Sequence, residues 1–446
     1  MSVFDGRRLG NEVFKLDVDR MRRGWYSDKY FTNIARMLSK LAAQGYSYAG
    51  EHARRLPVEG NRIPTGDIEV EMQWFTRRQG TTLVVGVDKA LAMLRHCAGA
   101  WESERFLEAW DRLEVHAVQD GSLIHSVGDL EHVQPVLRVR GRYRDFALLE
   151  TPTLGVLTRG SRVATNVYET LMAARGKPVL FFPARFDAHE VQAADGYAYN
   201  LAVQRFNLDF AGRLGPFVST DAQGDWWGGV GSGTVAHAAI ACFLGDTAEA
   251  MWAFASTLPP EIPRIALVDF NNDSVADSLS TVERMFRHYR ACLESGDESG
   301  AKRFILFGVR LDTSASIRDI SVPPQGDNAH DLGVSPRLVE TVRRALDRAW
   351  EGWGLSPDWI ERAKDYCRSI KIVVSGGFTA QRIDDFERHG VPVDIYAVGS
   401  ALFTNAGPTV TDFTADVVRV RLDRTWIPMA KVGRAPGENP ELERVV

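Results

Sequence analysis

The segment from Ile370 to Phe403 constrains the fold of this chain more than any other stretch. It contains an apolar, β-branched run at Ile370–Val374, a Ser-Gly-Gly turn, an amphipathic helical pattern and a second apolar run at Val393–Val398. This order is typical of a strand, a helix and a second strand parallel to the first. We therefore expect a fold in which parallel strands are joined by crossover helices.

Small residues follow both of these predicted strands. Ser375, Gly376 and Gly377 follow the first, and Gly399 and Ser400 follow the second. Glycines allow backbone N–H groups to approach an anion closely, and a helix that begins just beyond adds a favourable dipole. In (β/α) barrels the loops after the last two strands are a common phosphate site. A single loop of this kind can be only a tight turn, but two consecutive loops favour phosphate binding.

Strand and helix patterns alternate through the middle of the chain. The predicted strands cover residues 177–185, 264–270 and 303–311, a helix covers 275–294, and further helices begin at Ser335 and Ser356. Repeated alternation favours parallel strands with crossover helices. We predict an α/β fold whose catalytic domain, 149–408, is an irregular and possibly incomplete (β/α) barrel.

The N-terminal part has a different pattern. Residues 66–75 and 81–87 alternate as half-buried strands, and 89–96 is a helical pattern. The tail from Thr409 is typical of strand and loop, and we expect it to fold back onto the N-terminal part. The predicted second domain is an α+β sandwich that comprises residues 1–148 and is completed by 409–446.

Composition limits the possible partners and compartment. The 53 basic and 58 acidic residues give a formal net charge of -5, so no global field attracts nucleic acid or an anionic membrane. The four cysteines are far apart and lack metal-ligand spacing. The N-terminus lacks the apolar core of a signal peptide, and the longest uncharged run, Gly228 to Gly245, contains a histidine and several glycines. We predict a cytoplasmic enzyme with small-molecule substrates.

Charged residues stand at the ends of the other predicted strands. Arg185 ends one strand, Asp269 ends another, and Arg310 and Asp312 end a third. A carboxylate can accept hydrogen bonds from sugar hydroxyls or bind Mg²⁺, and an arginine can bind a phosphate or a carboxylate. Each residue alone can equally be a surface charge or part of an ion pair. Three strand ends in register favour a pocket.

His237 lies in the segment G-S-G-T-V-A-H, and Thr234 is a plausible helix cap. The small apolar residues that follow place this histidine in the first turn of a helix that we expect to be otherwise buried. A histidine on such a helix can be a structural core residue. The functional alternative is a nucleophile or an acid/base group that faces a bound phosphate.

Together these motifs resemble those of the nicotinate phosphoribosyltransferases, within the type II group that includes the nicotinamide and quinolinate enzymes, and they are most similar to the archaeal-type branch. The resemblance covers nearly the whole chain. Its motifs are Ser27–Phe31 (similar to T-D-x-Y), Leu149–Thr151 (L-E-T), Arg185, Gly233–His237 (G-T-x-[AS]-H), Leu267–Asp269 (V-D), Arg310–Asp312 (R-x-D), Ser375–Gly377 (S-G-G) and Val398–Ser400, where Ala397 replaces the first glycine of G-V-G-[ST].

The resemblance implies that the barrel is of the type II phosphoribosyltransferase kind, and it implies an activity, a set of co-substrates and roles for the site residues. The enzyme would form nicotinate mononucleotide from nicotinate and phosphoribosyl pyrophosphate with Mg²⁺, and ATP would phosphorylate His237 as a co-substrate. The 5-phosphate would bind the two glycine loops, the ribose hydroxyls would bind Asp269 and Asp312, and Arg185 would contact the substrate. Tyr30 would stack on the pyridine ring, in many family members across the interface of a homodimer.

One departure leaves the substrate open. Family members carry a G-T-S-N-like segment between the positions of Arg185 and Gly233, whereas this chain has an insertion at Asp221–Gly229 with two tryptophans. Nicotinamide, quinolinate or another pyridine are alternatives, although quinolinate enzymes lack a counterpart of the phosphorylated histidine. An unrelated isomerase or aldolase barrel is another alternative. Such enzymes depend on a lysine or a Glu/His base, and Lys371 disfavours them because it starts its predicted strand rather than ending it. A catalytically silent, phosphate-binding barrel is a further alternative.

Overall fold

The computed structural model describes residues 6–50, 52–55, 62–102, 104–326 and 328–446. The first five residues, part of the N-terminal segment in which no signal peptide is expected, lie outside these ranges. The chain separates into two compact units. Unit 1 comprises Met1–Tyr168, Tyr197–Arg205 and Thr404–Val446, and unit 2 comprises Glu169–Gly196 and Phe206–Phe403. The domain boundaries predicted at residues 148 and 408 stay predictions.

Helices and strands are numbered here in chain order over the described residues. The helices are α1 (Asn11–Phe14), α2 (Val18–Arg22), α3 (Lys29–Ala43), α4 (Val87–Cys97), α5 (Tyr143–Phe146), α6 (Glu150–Ala173), α7 (Gln192–Phe210), α8 (Asp221–Gly224), α9 (His237–Cys242), α10 (Thr247–Thr257), α11 (Ser274–Glu294), α12 (Glu298–Arg303), α13 (Asn328–Asp331), α14 (Pro336–Arg348), α15 (Pro357–Ser369) and α16 (Ala380–Arg388). The strands are β1 (Glu69–Thr76), β2 (Gly80–Leu83), β3 (Gly99–Glu102), β4 (Arg105–Glu108), β5 (Glu114–Ala117), β6 (Leu123–Ser126), β7 (Leu137–Arg142), β8 (Val179–Phe181), β9 (Ile265–Leu267), β10 (Gly308–Leu311), β11 (Lys371–Val374), β12 (Ile395–Val398), β13 (Phe413–Leu422), β14 (Thr425–Pro428) and β15 (Glu443–Arg444).

Unit 1 contains a six-stranded sheet in the order β14-β13-β1-β7-β5-β15, and all its strand pairs are antiparallel. Its centre is apolar: Trp74 on β1 is fully buried and donates its indole N–H to Thr153 Oγ1 at 3.1 Å. Leu91 and Leu94 on α4 belong to the same core. Three strands of this sheet come from the C-terminal tail, so the tail returns to the N-terminal part of the chain, as the sequence predicts.

A buried carboxylate joins the three central strands of this sheet. Glu71 on β1 is fully buried and lies between its cross-strand neighbours Arg140 on β7 and Arg419 on β13. Arg140 Nε donates to Glu71 Oε2 at 2.6 Å, and Arg419 Nη1 donates to Glu71 Oε1. Because a buried charge is costly without a partner, the ion pairs and the strand register stabilise each other.

Replacing Glu71 by alanine is expected to lower the free energy of unfolding by about 3 kcal/mol, because two partly buried arginines lose their counter-charge. Urea denaturation followed by circular dichroism measures the effect. The matched control is Glu69→Ala on the same strand, whose partner Arg421 is 40% exposed. This exposed pair is expected to contribute less than about 1 kcal/mol. Equal losses in the two variants would contradict the importance of the buried network.

Unit 2 contains a five-stranded parallel sheet in the order β8-β12-β11-β10-β9. The predicted strand–helix–strand segment is β11-α16-β12, and the Thr379 side chain caps α16 by accepting from the Arg382 N–H. A single bridge from Phe181 to Val218 extends the sheet beyond β8. The predicted α/β fold class is confirmed, and this sheet fits an irregular barrel.

The strand predicted at residues 303–311 is wrong in its first half. Residues up to Arg303 form α12, whose first turn is capped by Asp297 accepting from the Gly300 N–H at 2.8 Å. The strand β10 begins only at Gly308, where a Cβ atom would lie 2.7 Å from the Lys371 carbonyl oxygen. The absence of a side chain therefore allows β10 and β11 to approach at this point.

The strand predicted at residues 81–87 also ends early, at Leu83. Gly86 adopts a φ of +112°, and Val87 begins α4. The Asp120 side chain accepts hydrogen bonds from the N–H groups of Gly86 and Val87, both at 2.8 Å. A distant carboxylate thus fixes the start of α4, which local periodicity cannot indicate.

Among the described helices, none has both the length and the apolar character needed to cross a membrane.

Candidate active site

The residues predicted at strand ends lie along one edge of the sheet of unit 2. Asp269 follows β9, Asp312 follows β10, Ser375 follows β11 and Gly399 follows β12. Arg185 lies beyond β8 in a short 3-10 turn. Parallel strands place their carboxyl ends at the same edge, and in both barrels and open α/β sheets ligands bind at this edge. The site is therefore built from five consecutive positions across the sheet.

The Ser-Gly-Gly loop after β11 is joined directly to Asp312. Ser375 Oγ donates to Asp312 Oδ1 at 2.7 Å, and the Ser375 N–H donates to the Leu311 carbonyl oxygen at 2.9 Å. Gly376 and Gly377 have φ angles of +86° and +78°. Their two N–H groups are exposed and donate no hydrogen bond within the described residues. Successive free N–H groups of this kind form a concavity that suits an anion.

The loop after β12 is narrow. A Cβ atom on Gly399 would lie 2.6 Å from the ring of Phe186, so glycine is needed for this close approach. Ser400 is exposed and begins the 3-10 turn Ser400–Phe403. The Arg185 guanidinium lies 5.3 Å from the centre of the Phe186 ring. The glycine loop after β12 therefore lies beside the turn that follows β8. This turn carries the Arg185 cation and the exposed ring of Phe186.

Charges of both signs meet between β9 and β10. Burial lowers the pKa of Arg310, while Asp312 and Asp269 oppose this shift and Arg185 adds to it. Burial raises the pKa of Asp269, Asp312 raises it further, and His237 opposes the shift. Arg310 Nη2 donates to the Val235 carbonyl oxygen at 3.4 Å, but its buried Nε has no partner within the described part of the chain. The cluster can therefore bind hydroxyl and phosphate groups together.

His237 is the first residue of α9 and contacts this cluster. Its Nε2 lies 3.1 Å from both carboxylate oxygens of Asp269. The His237 side chain is 45% exposed, whereas that of Asp269 is 8% exposed. The interpretation of His237 as a buried core residue is therefore wrong. The Asp269 carboxylate therefore orients the imidazole through Nε2. The other ring nitrogen, Nδ1, faces away from Asp269.

Two expectations about α9 itself are wrong. Thr234 does not cap the helix, because the N-cap is Ala236 and the Thr234 hydroxyl reaches only the Val235 carbonyl oxygen at 3.5 Å. Nor is α9 otherwise buried, since Ile240 is its only buried residue. The sequence shows apolar residues but not whether a neighbour covers them. Phe243 and Leu244, just after the helix, are also exposed, the latter almost completely.

The position of α9 depends on two residues that the sequence analysis did not assign to the site. Asn271 Nδ2 donates to the Gly245 carbonyl oxygen at 2.9 Å and to Asp277 Oδ1 at 3.1 Å. Gly245 lies in the turn that follows α9, so Asn271 links this turn to the end of β9. The polar run Asn271-Asn272-Asp273 beyond Asp269 was the available signal.

In unit 1, the S-D-K-Y and L-E-T motifs are in contact. The Asp28 N–H donates to Thr151 Oγ1 at 3.1 Å, and this hydroxyl donates to Asp28 Oδ2 at 3.1 Å. Tyr30 Oη donates to the same carboxylate oxygen at 3.2 Å, and the Tyr30 side chain is 58% exposed. The ring is thus oriented by Asp28 and presented to the outside of unit 1.

Glu150, the middle residue of the L-E-T motif, is a half-buried acid. Burial raises its pKa to about 8, with further contributions from Asp416 and Asp28. The folded state therefore binds this proton more tightly than the unfolded state, in which the pKa is near its ordinary value of 4.5. The stabilisation by the neutral form is complete below the unfolded pKa and is lost as the pH rises through the folded pKa.

We expect Glu150→Gln to match the wild type in stability near pH 4.5 and to exceed it near pH 9, by on the order of 2 kcal/mol, because glutamine cannot ionise. Thermal denaturation across this pH range measures the difference. Asp416 and Asp28 remain unchanged in the variant, so the pH dependence isolates position 150. A difference that is the same at every pH would show that Glu150 does not titrate in this range.

Within the described ranges, no group of three or more His, Cys, Asp or Glu side chains could hold a metal ion by itself. Asp269 and Asp312 supply two neighbouring carboxylates.

The insertion at 221–229 folds on itself: Thr220 caps α8, and the Trp227 indole N–H donates to the Gln223 carbonyl oxygen at 2.8 Å. Trp227 therefore packs within its own loop.

Comparison with solved structures identifies the fold. The structure of nicotinate-nucleotide pyrophosphorylase from Pyrococcus furiosus matches with a TM-score of 0.63 and 23% identity, over 96% of this chain and 85% of that chain. The structure of human nicotinic acid phosphoribosyltransferase matches more distantly, with a TM-score of 0.49 and 16% identity, over 88% of this chain and 74% of that chain. No protein-family model and no curated protein matches the sequence. The chain has the fold of the first of these enzymes, which confirms the fold implied by the resemblance to type II phosphoribosyltransferases.

Proposed function

We propose that this chain is a nicotinate phosphoribosyltransferase, which forms nicotinate mononucleotide and pyrophosphate from nicotinate and phosphoribosyl pyrophosphate in NAD biosynthesis. The observation that carries the proposal is the contact between Asp312 and the Ser375-Gly376-Gly377 loop, beside the Asp269–His237 pair. It places an anion-binding loop next to carboxylates that suit sugar hydroxyls. A fold shared with a nicotinate-nucleotide pyrophosphorylase supports the same reaction class.

The proposed mechanism follows from the positions of these groups. The 5-phosphate of the substrate binds the free N–H groups of Gly376 and Gly377 and the loop at Gly399 and Ser400. The ribose hydroxyls then lie against Asp269 and Asp312. The pyridine nitrogen attacks the anomeric carbon as the bond to pyrophosphate breaks, and the carboxylates stabilise the positive charge on the ribose in the transition state. Such catalysis depends on positioning and electrostatics and needs no protein nucleophile.

Mg²⁺ fits this site as a companion of the substrate. In proteins Mg²⁺ is commonly bound by one or two carboxylates together with substrate phosphate oxygens. Asp269 and Asp312 are the two carboxylates available, and they follow the paired, parallel strands β9 and β10. When bound, the ion would neutralise charge on the departing pyrophosphate. The buried guanidinium of Arg310 would supply a second positive charge beside it.

We propose a separate role for His237 in coupling the reaction to ATP. Its Nε2 is engaged by Asp269, and its Nδ1 has no hydrogen bond in the described structure. Nδ1 would attack the γ-phosphorus of ATP, the bond to ADP would break, and Asp269 would stabilise the charge and hold the proton on Nε2. The phosphohistidine would later be hydrolysed to inorganic phosphate. This step transfers energy and is not part of the pyridine transfer.

A second copy of the chain is the proposed partner. The apolar residues at α9 and just beyond it, Phe243 and Leu244, are exposed, and so is Tyr30 in unit 1. In a homodimer these surfaces would be covered, and Tyr30 would stack on the pyridine bound by the other copy. A monomeric mass in light scattering at micromolar concentration would contradict this proposal. The four cysteines are unpaired, which fits the proposed cytoplasmic location.

Product analysis tests the proposed reaction. The purified protein would be incubated with Mg²⁺ and phosphoribosyl pyrophosphate, with nicotinate, nicotinamide or quinolinate offered separately, each with and without ATP. We expect nicotinate mononucleotide from nicotinate only, formed faster with ATP. Product from nicotinamide or quinolinate instead would reassign the substrate. No product from any of the three would reject the proposed activity. The segment between Arg185 and Gly233, which departs from the family pattern, would then be the first place to look for a change of substrate.

A further inference from the structure

Arg382 connects the phosphate loop to a second loop of unit 2. It lies in the first turn of α16, and its Nη1 donates to the Gly376 carbonyl oxygen at 3.0 Å. Its Nη2 donates to the Val334 carbonyl oxygen at 2.7 Å. Val334 is buried and immediately precedes Ser335, the cap of α14. One guanidinium therefore joins the glycine loop to a fixed point at the start of α14.

The contact with Gly376 determines the direction of the next N–H group. In a trans peptide the carbonyl oxygen and the following N–H point in opposite directions. Because Arg382 holds the Gly376 oxygen on its own side, the Gly377 N–H faces away from the guanidinium, toward the open side of the loop. Both glycines have positive φ, and a Gly-Gly peptide has few steric restraints on its rotation. An external restraint is therefore needed to keep this N–H in place.

The Arg382 guanidinium is itself held by aromatic rings and has no counter-charge among the residues that the structure describes. It lies 4.2 Å from the centre of the buried Phe378 ring and 5.6 Å from that of Phe386. Within the described ranges, no acidic side chain forms an ion pair with it, in contrast to Arg388 on the same helix, which pairs with Asp384 and Asp385. The positive charge of Arg382 is therefore not neutralised by a described acidic side chain and lies beside the glycine loop.

We propose that Arg382 is a positioning residue for the 5-phosphate of the substrate: it holds the Gly376–Gly377 peptide so that the Gly377 N–H points at the phosphate, and it adds uncompensated positive charge behind the loop. The inference deepens the proposed function and rests on it for the identity of the phosphate ester. Lysine cannot replace arginine in this role, because a single ammonium group cannot span two carbonyl oxygens in a planar fork.

Calorimetric titration with ribose 5-phosphate and, separately, with pyrophosphate tests the inference. In Arg382→Lys and Arg382→Met the Kd for ribose 5-phosphate should rise about tenfold, because these variants lose hydrogen bonds donated by a charged group. The Kd for pyrophosphate should stay unchanged. The matched control, Arg388→Met, should bind both ligands as the wild type does. A merely structural role would lower the amount of competent protein without changing either Kd.

A second variant keeps the test decisive if both Arg382 variants fold poorly. Gly376→Ala strains the same peptide, because alanine disfavours a φ of +86°. It should reproduce the selective loss of ribose 5-phosphate affinity, and adding Arg382→Met should cause little further loss. Fully additive losses, or wild-type affinity in Arg382→Met, would overturn the inference. If the wild type binds neither ligand, the proposed function fails first and the inference fails with it.

Discussion

Replacing Asp312 by asparagine is expected to lower kcat/KM for phosphoribosyl transfer by about 10²- to 10³-fold, the usual effect of removing one group that stabilises transition-state charge. Asparagine keeps an oxygen that can accept from Ser375 Oγ, now 2.7 Å from Asp312 Oδ1. The variant therefore removes the negative charge that faces the ribose while preserving the link to the phosphate loop. Initial rates with purified protein, phosphoribosyl pyrophosphate and nicotinate measure the effect.

The same variant should change the pH profile in a definite direction. Asp312 raises the pKa of Asp269, so without its charge the pKa of Asp269 should fall. The acidic limb of kcat/KM, if it reflects Asp269, should then move to lower pH. The matched control is Asp394→Asn, at the amino end of β12, where the carboxylate accepts from the Ile372 N–H and pairs with Lys371. Nearly wild-type activity in Asp312→Asn, or a comparable loss in Asp394→Asn, would contradict the assigned role.

The elements that the sequence predicted well are those whose signals are local. In β11-α16-β12 each strand is a short apolar run, Thr379 caps the helix, and Gly390, with a φ of +65°, follows its end. All of these features can be seen in consecutive residues. The strand-end residues Asp269 and Asp312 were predicted for the same reason, since they directly follow apolar runs.

The elements that were predicted wrongly depend on contacts that periodicity does not reveal, whether nearby or far away in the chain. The sequence around Arg303 is apolar enough to suggest a strand, but the Asp297 cap favours a short helix instead. The chain begins α4 at Val87 rather than continuing a strand because Asp120, more than 30 residues later, accepts from the N–H groups of Gly86 and Val87. The exposure of α9 could not be predicted either, because apolar composition does not tell whether a packing partner exists within the chain.

The same reason explains which site residues were missed. Arg382 carries no motif, and its importance comes only from the two carbonyl oxygens that it joins, at Gly376 and Val334. Asn271 belongs to a polar run that directly follows Asp269 and Phe270, yet its bond to Gly245 depends on the path of the chain after α9. Motifs therefore indicated the groups that face a ligand, and only the structure indicated those that hold them in place.

Replacing His237 by alanine is expected to abolish the stimulation by ATP and to leave the basal transfer rate little changed. The reason is that the imidazole contacts Asp269 through Nε2 and is 45% exposed, so its Nδ1 can accept a phosphoryl group, whereas the basal transfer needs no protein nucleophile. Two readouts separate the steps: formation of nicotinate mononucleotide with and without ATP, and acid-labile labelling of the protein by ATP that carries a radioactive γ-phosphate.

The matched control for this prediction is His389→Ala, because His389 is an exposed histidine at the end of α16 whose Nδ1 contacts only the Asp385 carbonyl oxygen. This variant should retain both the label and the stimulation. If His237→Ala instead lost basal transfer together with stimulation, the imidazole would serve the pyridine transfer itself, for example by fixing Asp269 against the ribose. If it retained full stimulation and full labelling, another residue would be the phosphoryl acceptor, and the Asp269–His237 contact would only orient the carboxylate. The two enzymatic steps share Asp269, so only the separate assay of each can assign the histidine to one of them.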